Sequence, residues 1–319
     1  HVDLCHSLRC IICFLNVHEG HMHAVTFLAN LIADALNNCK DHQSLLQLKG
    51  WRGGEEVILL ATVNILGDAA AAIADYRAAL RDDANNADLL RLLARAHLNN
   101  SEIDLAKDTL LKGIESNPKA VALRADLVNI YSQRQELEKA MDELEEVVKV
   151  QPTNGKAYEG MFKIRVHQKD WTKAMAVSER VKAAFPSQPT GFYFAGLVHQ
   201  AERRLEESIE QFESALAVSP DAVQPLSQLV KSHLALKQQD VAERRLKEVT
   251  ERNEKNFVAY NLLGELHLAS KRLEEATAAF ERAREINPKW AIPYRNIASA
   301  QIAAEEADKA IATMEQGIE

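Results

Sequence analysis

Cysteine and histidine are the side chains in this 319-residue chain best suited to metal or redox chemistry, and they are unevenly spread. All four cysteines (Cys5, Cys10, Cys13, Cys39) and six of the eleven histidines (His1, His6, His18, His21, His23, His42) lie near the N-terminus. Cys10-Ile-Ile-Cys13 has the two-residue spacer of a zinc pair or a redox dithiol. A structural zinc site brings a second pair at regular spacing, whereas the other ligands here are scattered, and an Ile-Ile spacer reads as a buried segment. No metal site and no cofactor are therefore expected, with Cys10 and Cys13 the residues a metal would have to use. A second histidine set is regular: His97 is followed by His199, His233 and His267, the last three each 34 residues apart. Such a ladder could bind metal or titrate near neutrality. Catalytic signatures are missing: the chain contains no GxGxxG, Walker A, HExxH or GxSxG. Acid pairs such as Glu145-Glu146, Glu206-Glu207, Glu274-Glu275 and Glu305-Glu306, and the bases Arg203-Arg204 and Arg244-Arg245, read as solvated helix faces. No enzymatic activity is expected.

The 34-residue spacing of the histidines extends to other residues. Of the eight prolines, Pro118, Pro152, Pro186, Pro220 and Pro288 fall on a 34-residue grid with one gap at Glu254. Counting residue 53 as position 1, repeats start at 53, 87, 121, 155, 189, 223, 257 and 291 without insertion, and the last is incomplete. Position 20 reads Ala72, Ala106, Ala140, Ala174, Ser208, Ala242, Ala276, Ala310. Position 7 reads Leu59, Leu93, Leu127, Met161, Ala195, Leu229, Leu263, Ile297. Position 24 is bulky except at Ser178, and position 8 is small in Ala94, Gly196, Gly264 and Ala298. A fixed period of this length signals a repeat array.

Apolar positions 4, 7, 8 and 11 form one stripe at helical spacing, and positions 20, 24 and 27 form another. Each repeat is thus expected to be two amphipathic helices that approach closely over small residues at 8 and 20. Proline at position 32 closes the second helix, because it can neither donate nor continue the turn. Pro189, Pro225 and Pro293 stand at the start of first helices, where a missing N–H costs little.

These columns resemble the tetratricopeptide repeat family. Tyr260, Leu263, Gly264, His267, Ala276, Phe280, Ala283 and Pro288 follow its signature, with His267 in place of the usual tyrosine. Phe192, Gly196, Phe212, Ala215 and Pro220 follow it in the 189–222 repeat. The resemblance covers residues 53–319. It implies an all-α right-handed superhelical solenoid with first helices lining a concave surface, and a scaffold that binds proteins or peptides. It also makes the position-11 histidines packing residues. In the family, positions 2, 5, 6, 9, 12 and 13 commonly touch ligand. Here they nominate Arg91, Arg95, Asn129, Lys156, Lys163, Tyr193, Leu197, Lys231, Asn261 and Arg295 for the concave face, with Phe194 beside Tyr193. The early part of that wall is locally basic, tempered by Asp126 and Glu159. Family members that grip a terminal carboxylate use position 6 for asparagine or arginine. Asp126 and Gly160 stand there instead, so a general groove for an extended or acidic segment is expected.

Residues 1–52 follow the register poorly. Ala24, Val25, Phe27, Leu28, Leu31, Ile32, Ala35 and Leu36 predict one amphipathic helix over 24–36, acting as a degenerate repeat or cap. Gly50, Gly53 and Gly54 predict a turn around Trp51, and the first 20 residues read as an artefactual leader. The apolar run from Cys10 to Val17 is only eight residues long, has Arg9 as its one upstream base and is not promptly followed by a small-x-small cleavage site, so it reads as a weak signal-peptide pattern. At the other end, Ile311, Met314 and Ile318 are expected to lie uncovered, as in a truncated chain or an end-to-end self-contact.

Composition limits the partners. The net charge of −8 and pI near 5.8 speak against nucleic acid, and no apolar run approaches a membrane span. A bacterial cytoplasmic or periplasmic setting is expected. The leading reading is a complex-assembly scaffold. Alternatives are the truncated repeat arm of a glycosyltransferase, sulfotransferase or phosphatase, and a pilus or exopolysaccharide assembly factor.

Overall fold

The computed structural model describes residues 69–317. The expectations for residues 1–52, Cys10 and Cys13 among them, and for Ile318 lie outside the described residues. The described residues form fifteen α-helices and no strand. The chain divides into two compact units, one through Glu143 and one from Leu144. The first holds α1 (Ala69–Ala79), α2 (Ala87–Asn99), α3 (Ile103–Ser116) and α4 (Val121–Gln133), and α5 (Leu137–Val150) carries the chain onward. The second holds α6 (Gly155–His167), α7 (Trp171–Ala184), α8 (Thr190–Ala201), α9 (Leu205–Val218), α10 (Val223–Ala235), α11 (Gln239–Arg252), α12 (Phe257–Ala269), α13 (Leu273–Ile286), α14 (Ala291–Ala303) and α15 (Ala307–Gln316). This is an all-α repeat solenoid: α2, α4, α6, α8, α10, α12 and α14 are first helices, and the others are second helices.

Helix ends explain the prolines. Second helices α3, α5, α7, α9, α11 and α13 all end two residues before position 32, where proline stands in five of the six. Pro225 and Pro293 sit in the first turns of α10 and α14, and Pro189 precedes α8. Asparagines at position 34 cap three first helices: Asn86, Asn154 and Asn256 accept from the backbone N–H of Leu89, Ala157 and Ala259 at 3.1, 3.0 and 3.0 Å.

The turn within each repeat has a feature that the sequence did not advertise. Ser101, Gln135, Lys169, Arg203, Lys237, Lys271 and Glu305 all have φ between 56° and 62°. They occupy position 15, where the left-handed conformation reverses the chain after the first helix. The next residue's N–H then bonds the carbonyl at position 11, as Glu102 to His97 at 2.8 Å and Arg272 to His267 at 2.9 Å. This is the glycine-favouring end of a helix, built seven times without glycine.

The core is built repeat on repeat. In the second unit, Phe212, Leu216, Leu226, Leu229, Leu246, Val249 and Leu263 pack together from four successive helices. In the first, Ile73 and Tyr76 of α1 pack on Leu89 and Leu93 of α2. Position 20 is buried in every described repeat. Positions 8 and 24 share one volume. A Cβ on Gly196 would lie 2.3 Å from the Phe212 ring, and one on Gly264 would lie 2.5 Å from Phe280. Ala94 instead accompanies Leu110. The exception at Ser178 is the same rule reversed, since Phe162 holds position 8 of that repeat. Ser178 satisfies its buried hydroxyl by donating to the Ala174 carbonyl at 3.0 Å. At the last helix Ile311 and Met314 are exposed, 59% and 43%, as expected.

Several charges read as solvated faces instead tie neighbouring repeats. Arg180 forks onto Glu145 at 2.6 and 2.8 Å, and Arg245 forks onto Glu213 at 2.8 and 2.8 Å. Arg272 donates to Glu243 at 2.5 Å, and Lys247 reaches the same carboxylate at 2.8 Å. Together they hold the Glu243 carboxyl at about 2 against an ordinary value of 4.5.

Three outcomes test this packing. Gly196→Ala should destabilise the protein by about 1–3 kcal/mol in urea denaturation, with part recovered when Phe212→Leu is added; no change would contradict the shared volume. Lys237→Gly should stabilise by a few tenths to about 1 kcal/mol. Because its carboxyl is depressed in the fold, Glu243 stabilises fully above pH ~4.5 and progressively less as pH falls toward 2. Glu243→Gln should therefore cost on the order of 2–3 kcal/mol at pH 7, and the gap from the parent protein should shrink by about half at pH 3.

Candidate functional site

The residues nominated for ligand contact fall on first helices, and their surroundings differ sharply. In the first compact unit, Arg91 donates to Asp126 at 2.7 and 3.4 Å, and Arg95 reaches the same carboxylate at 3.3 and 3.5 Å. Asp126 is buried beneath them. Two guanidiniums on one carboxylate leave a single net positive charge. Asn129, exposed one turn further along α4, has no side-chain partner among the described residues.

The same three positions recur in the second unit as two amides and a carboxylate. Asn261 donates to Glu265 at 2.8 Å and accepts from Asn296 at 3.0 Å; Asn296 also approaches Glu265 at 3.4 Å. Asn261 is buried, and Arg295 donates to Asn296 at 3.5 Å. This part of the face is closed on itself. Lys163 is exposed and paired within α6 to Glu159 at 2.6 Å. Lys156, Tyr193 and Lys231 have no polar side-chain partner among the described residues, and Tyr193 and Leu197 pack partly buried on the core. Burial pushes the Tyr193 hydroxyl pKa up, so it stays a neutral donor.

Lys156 and Tyr193 border a pocket of about 520 Å³. The first turn of α6 contributes Gly155, Lys156, Tyr158 and Glu159. Val181, Phe185 and Gln188 come from the end of α7 and the turn after it, Thr190, Tyr193 and Phe194 from α8, and Gln224 from α10. The volume reversal in this repeat shapes the pocket. Phe162, in place of a small residue, stacks flat on Phe194 with centroids 4.0 Å apart. Tyr158 meets Phe185 edge-on at 5.9 Å. Gly191 lets α8 cross the last turn of α7 backbone to backbone, since a Cβ there would stand 2.7 Å from the Lys182 nitrogen. Sequence reasoning named Lys156, Tyr193 and Phe194 but missed Tyr158, Phe185, Gln188, Thr190 and Gln224. Thr190 and Gln224 share position 2 with Lys156, and that column was the available signal.

The histidine ladder resolves into packing. His97, His233 and His267 are buried. His97 Nδ1 lies 2.6 Å from Glu102, and His233 Nδ1 lies 2.9 Å from Gln238, each partner at position 16. Where position 16 is Arg204 or Arg272, the Nδ1 of His199 or His267 is buried with no hydrogen bond, although Glu275 approaches His267 Nδ1 at 3.4 Å. Burial, reinforced by the neighbouring arginine, pushes both imidazole pKa values down, which keeps them neutral. Among the described residues no three histidine, cysteine or acidic side chains converge to hold a metal. No described helix is long and apolar enough to cross a membrane.

Comparison with known proteins gives the same picture. Residues 65–127 and 227–289 each match a family model described as tetratricopeptide repeat. No curated protein matches the chain. Among solved structures, yeast Tom70 is similar over 85% of this chain and 61% of its own, at 14% identity and a TM-score of 0.54. A tetratricopeptide repeat protein from Parabacteroides merdae is 14% identical over 83% of this chain and all of its own, with a TM-score of 0.45. MamA is 16% identical over 51% of this chain and 89% of its own, with a TM-score of 0.38. The likeness to Tom70 is one of fold. With the helix pairs in 34-residue register and two stretches matching the repeat model, the chain carries tetratricopeptide repeats and is in general terms a protein-interaction scaffold.

Proposed function

We propose that this scaffold is non-catalytic and holds a peptide or protein segment against its first-helix face, bringing that segment into a larger complex. One observation carries the reading. Flanking polar residues of the same columns bond one another, whereas Lys156, Tyr193 and Lys231 present donors that no group among the described residues satisfies. Unengaged donors beside apolar surface are what an extended segment needs for its carbonyls and acidic side chains. The unpaired cations of the second unit, Lys156 and Lys231, favour an acidic segment despite the chain's overall −8. Stacked repeats present this face already ordered, so little conformational entropy is lost on binding.

Site-specific photocross-linking tests the assignment. Benzoylphenylalanine at Asn129 or Lys231, both exposed on first helices, should capture the native partner. The same probe at Lys112 or Ala217, exposed on second helices, should not. Equal capture from all four positions, or capture from the second helices alone, would refute the first-helix face as the binding surface. Capture from Lys231 should also weaken with added salt.

A further inference from the structure

We propose that the pocket between α6, α7 and α8 seats a large apolar side chain, preferably aromatic, of an extended partner segment, and that an Asp or Glu beside it in that segment meets the Lys156 ammonium. This rests on the first-helix face being the binding surface and adds the chemistry that the face selects.

The pocket's volume of about 520 Å³ lies within the roughly 300–1,000 Å³ usual for ligand sites. Its walls are ring surfaces from Tyr158, Phe185, Tyr193 and Phe194. Phe194 is fixed by its stack on Phe162, and Phe185 by its edge contact with Tyr158. An apolar guest therefore meets preformed aromatic walls, where face and edge contacts favour another ring. The rim supplies the charge preference. Glu159 is the one acid among the lining residues, and Lys163 engages it at 2.6 Å. Lys156 has no carboxylate partner among the described residues, so the rim presents an uncompensated cation. Tyr193 lines the same pocket, and burial keeps its hydroxyl neutral and able to donate. No guanidinium lines the pocket, so no planar fork grips both oxygens of a chain-terminal carboxylate. A single flexible ammonium suits a side-chain carboxylate within a continuing segment.

Amide-resolved NMR of the full chain, titrated with acetyl-Gly-Phe-Glu-Gly-amide, tests this. Saturable shifts should centre on Lys156, Tyr193, Phe194 and Gln224. Replacing Phe by Ala in the probe should weaken binding at least tenfold. Replacing Glu by Gln should weaken it about two- to fivefold. Lys156→Met should weaken the parent probe about as much, while making the protein indifferent to the Glu-to-Gln change. Lys156 is exposed, so this variant leaves the fold intact. Saturation elsewhere on the first helices with the pocket silent would overturn the pocket and leave the binding face standing. An absence of saturable shifts anywhere would overturn the pocket too, with the binding face then judged by cross-linking. Equal affinity for the Glu and Gln probes would overturn the acidic requirement.

Discussion

The structure depends on how closely two helices can cross inside one repeat. Position 20 holds only alanine or serine and is buried in every described repeat. Beside it, positions 8 and 24 divide a fixed volume, and the division differs among repeats. Glycine with phenylalanine, alanine with leucine, and phenylalanine with serine all fill it. Dense packing penalises both a void and an overlap, so the total is constrained more tightly than either member. Repeat 4 shows why this matters beyond stability. Moving the ring from position 24 to Phe162 puts an aromatic surface under Phe194 and thereby under the pocket.

A second layer of cohesion is electrostatic and runs between repeats. Arg180 on Glu145, Arg245 on Glu213 and Arg272 on Glu243 join residues separated by about one repeat in sequence. Forked geometry makes these stronger than ordinary surface pairs, and recurrence makes them a system of ties. They also separate roles among charged residues that look alike in sequence. Glu145 and Arg245 hold neighbouring repeats together, whereas Lys156 and Lys231 remain available to a partner.

Much of the fold was legible because a single period imposed itself on prolines, alanines and apolar stripes together. Helix ends fell where Pro118, Pro152, Pro186, Pro220 and Pro288 implied. The turn at position 15 was not legible, because its usual marker is glycine and seven other residues adopt the left-handed conformation instead. At the candidate site, register identified which residues share the first-helix face but not which are already engaged. Arg91 and Arg95 look like free cations until Asp126, about one repeat away, is found between them. Asn261 looks like a ligand-binding amide until Asn296 and Glu265 close over it. Phe185 and Gln188 belong to the connection between repeats, where no column pattern marks a pocket wall.

Gly191 bears on time rather than affinity. Its missing side chain lets α8 rest directly on the backbone of α7, so the helix carrying Thr190, Tyr193 and Phe194 is braced against the helix leading into Phe185 and Gln188. No side chain stands between these two walls, so the spacing a guest meets there is set at this residue. Differences among guests of one such site would be expressed mostly in how long each stays.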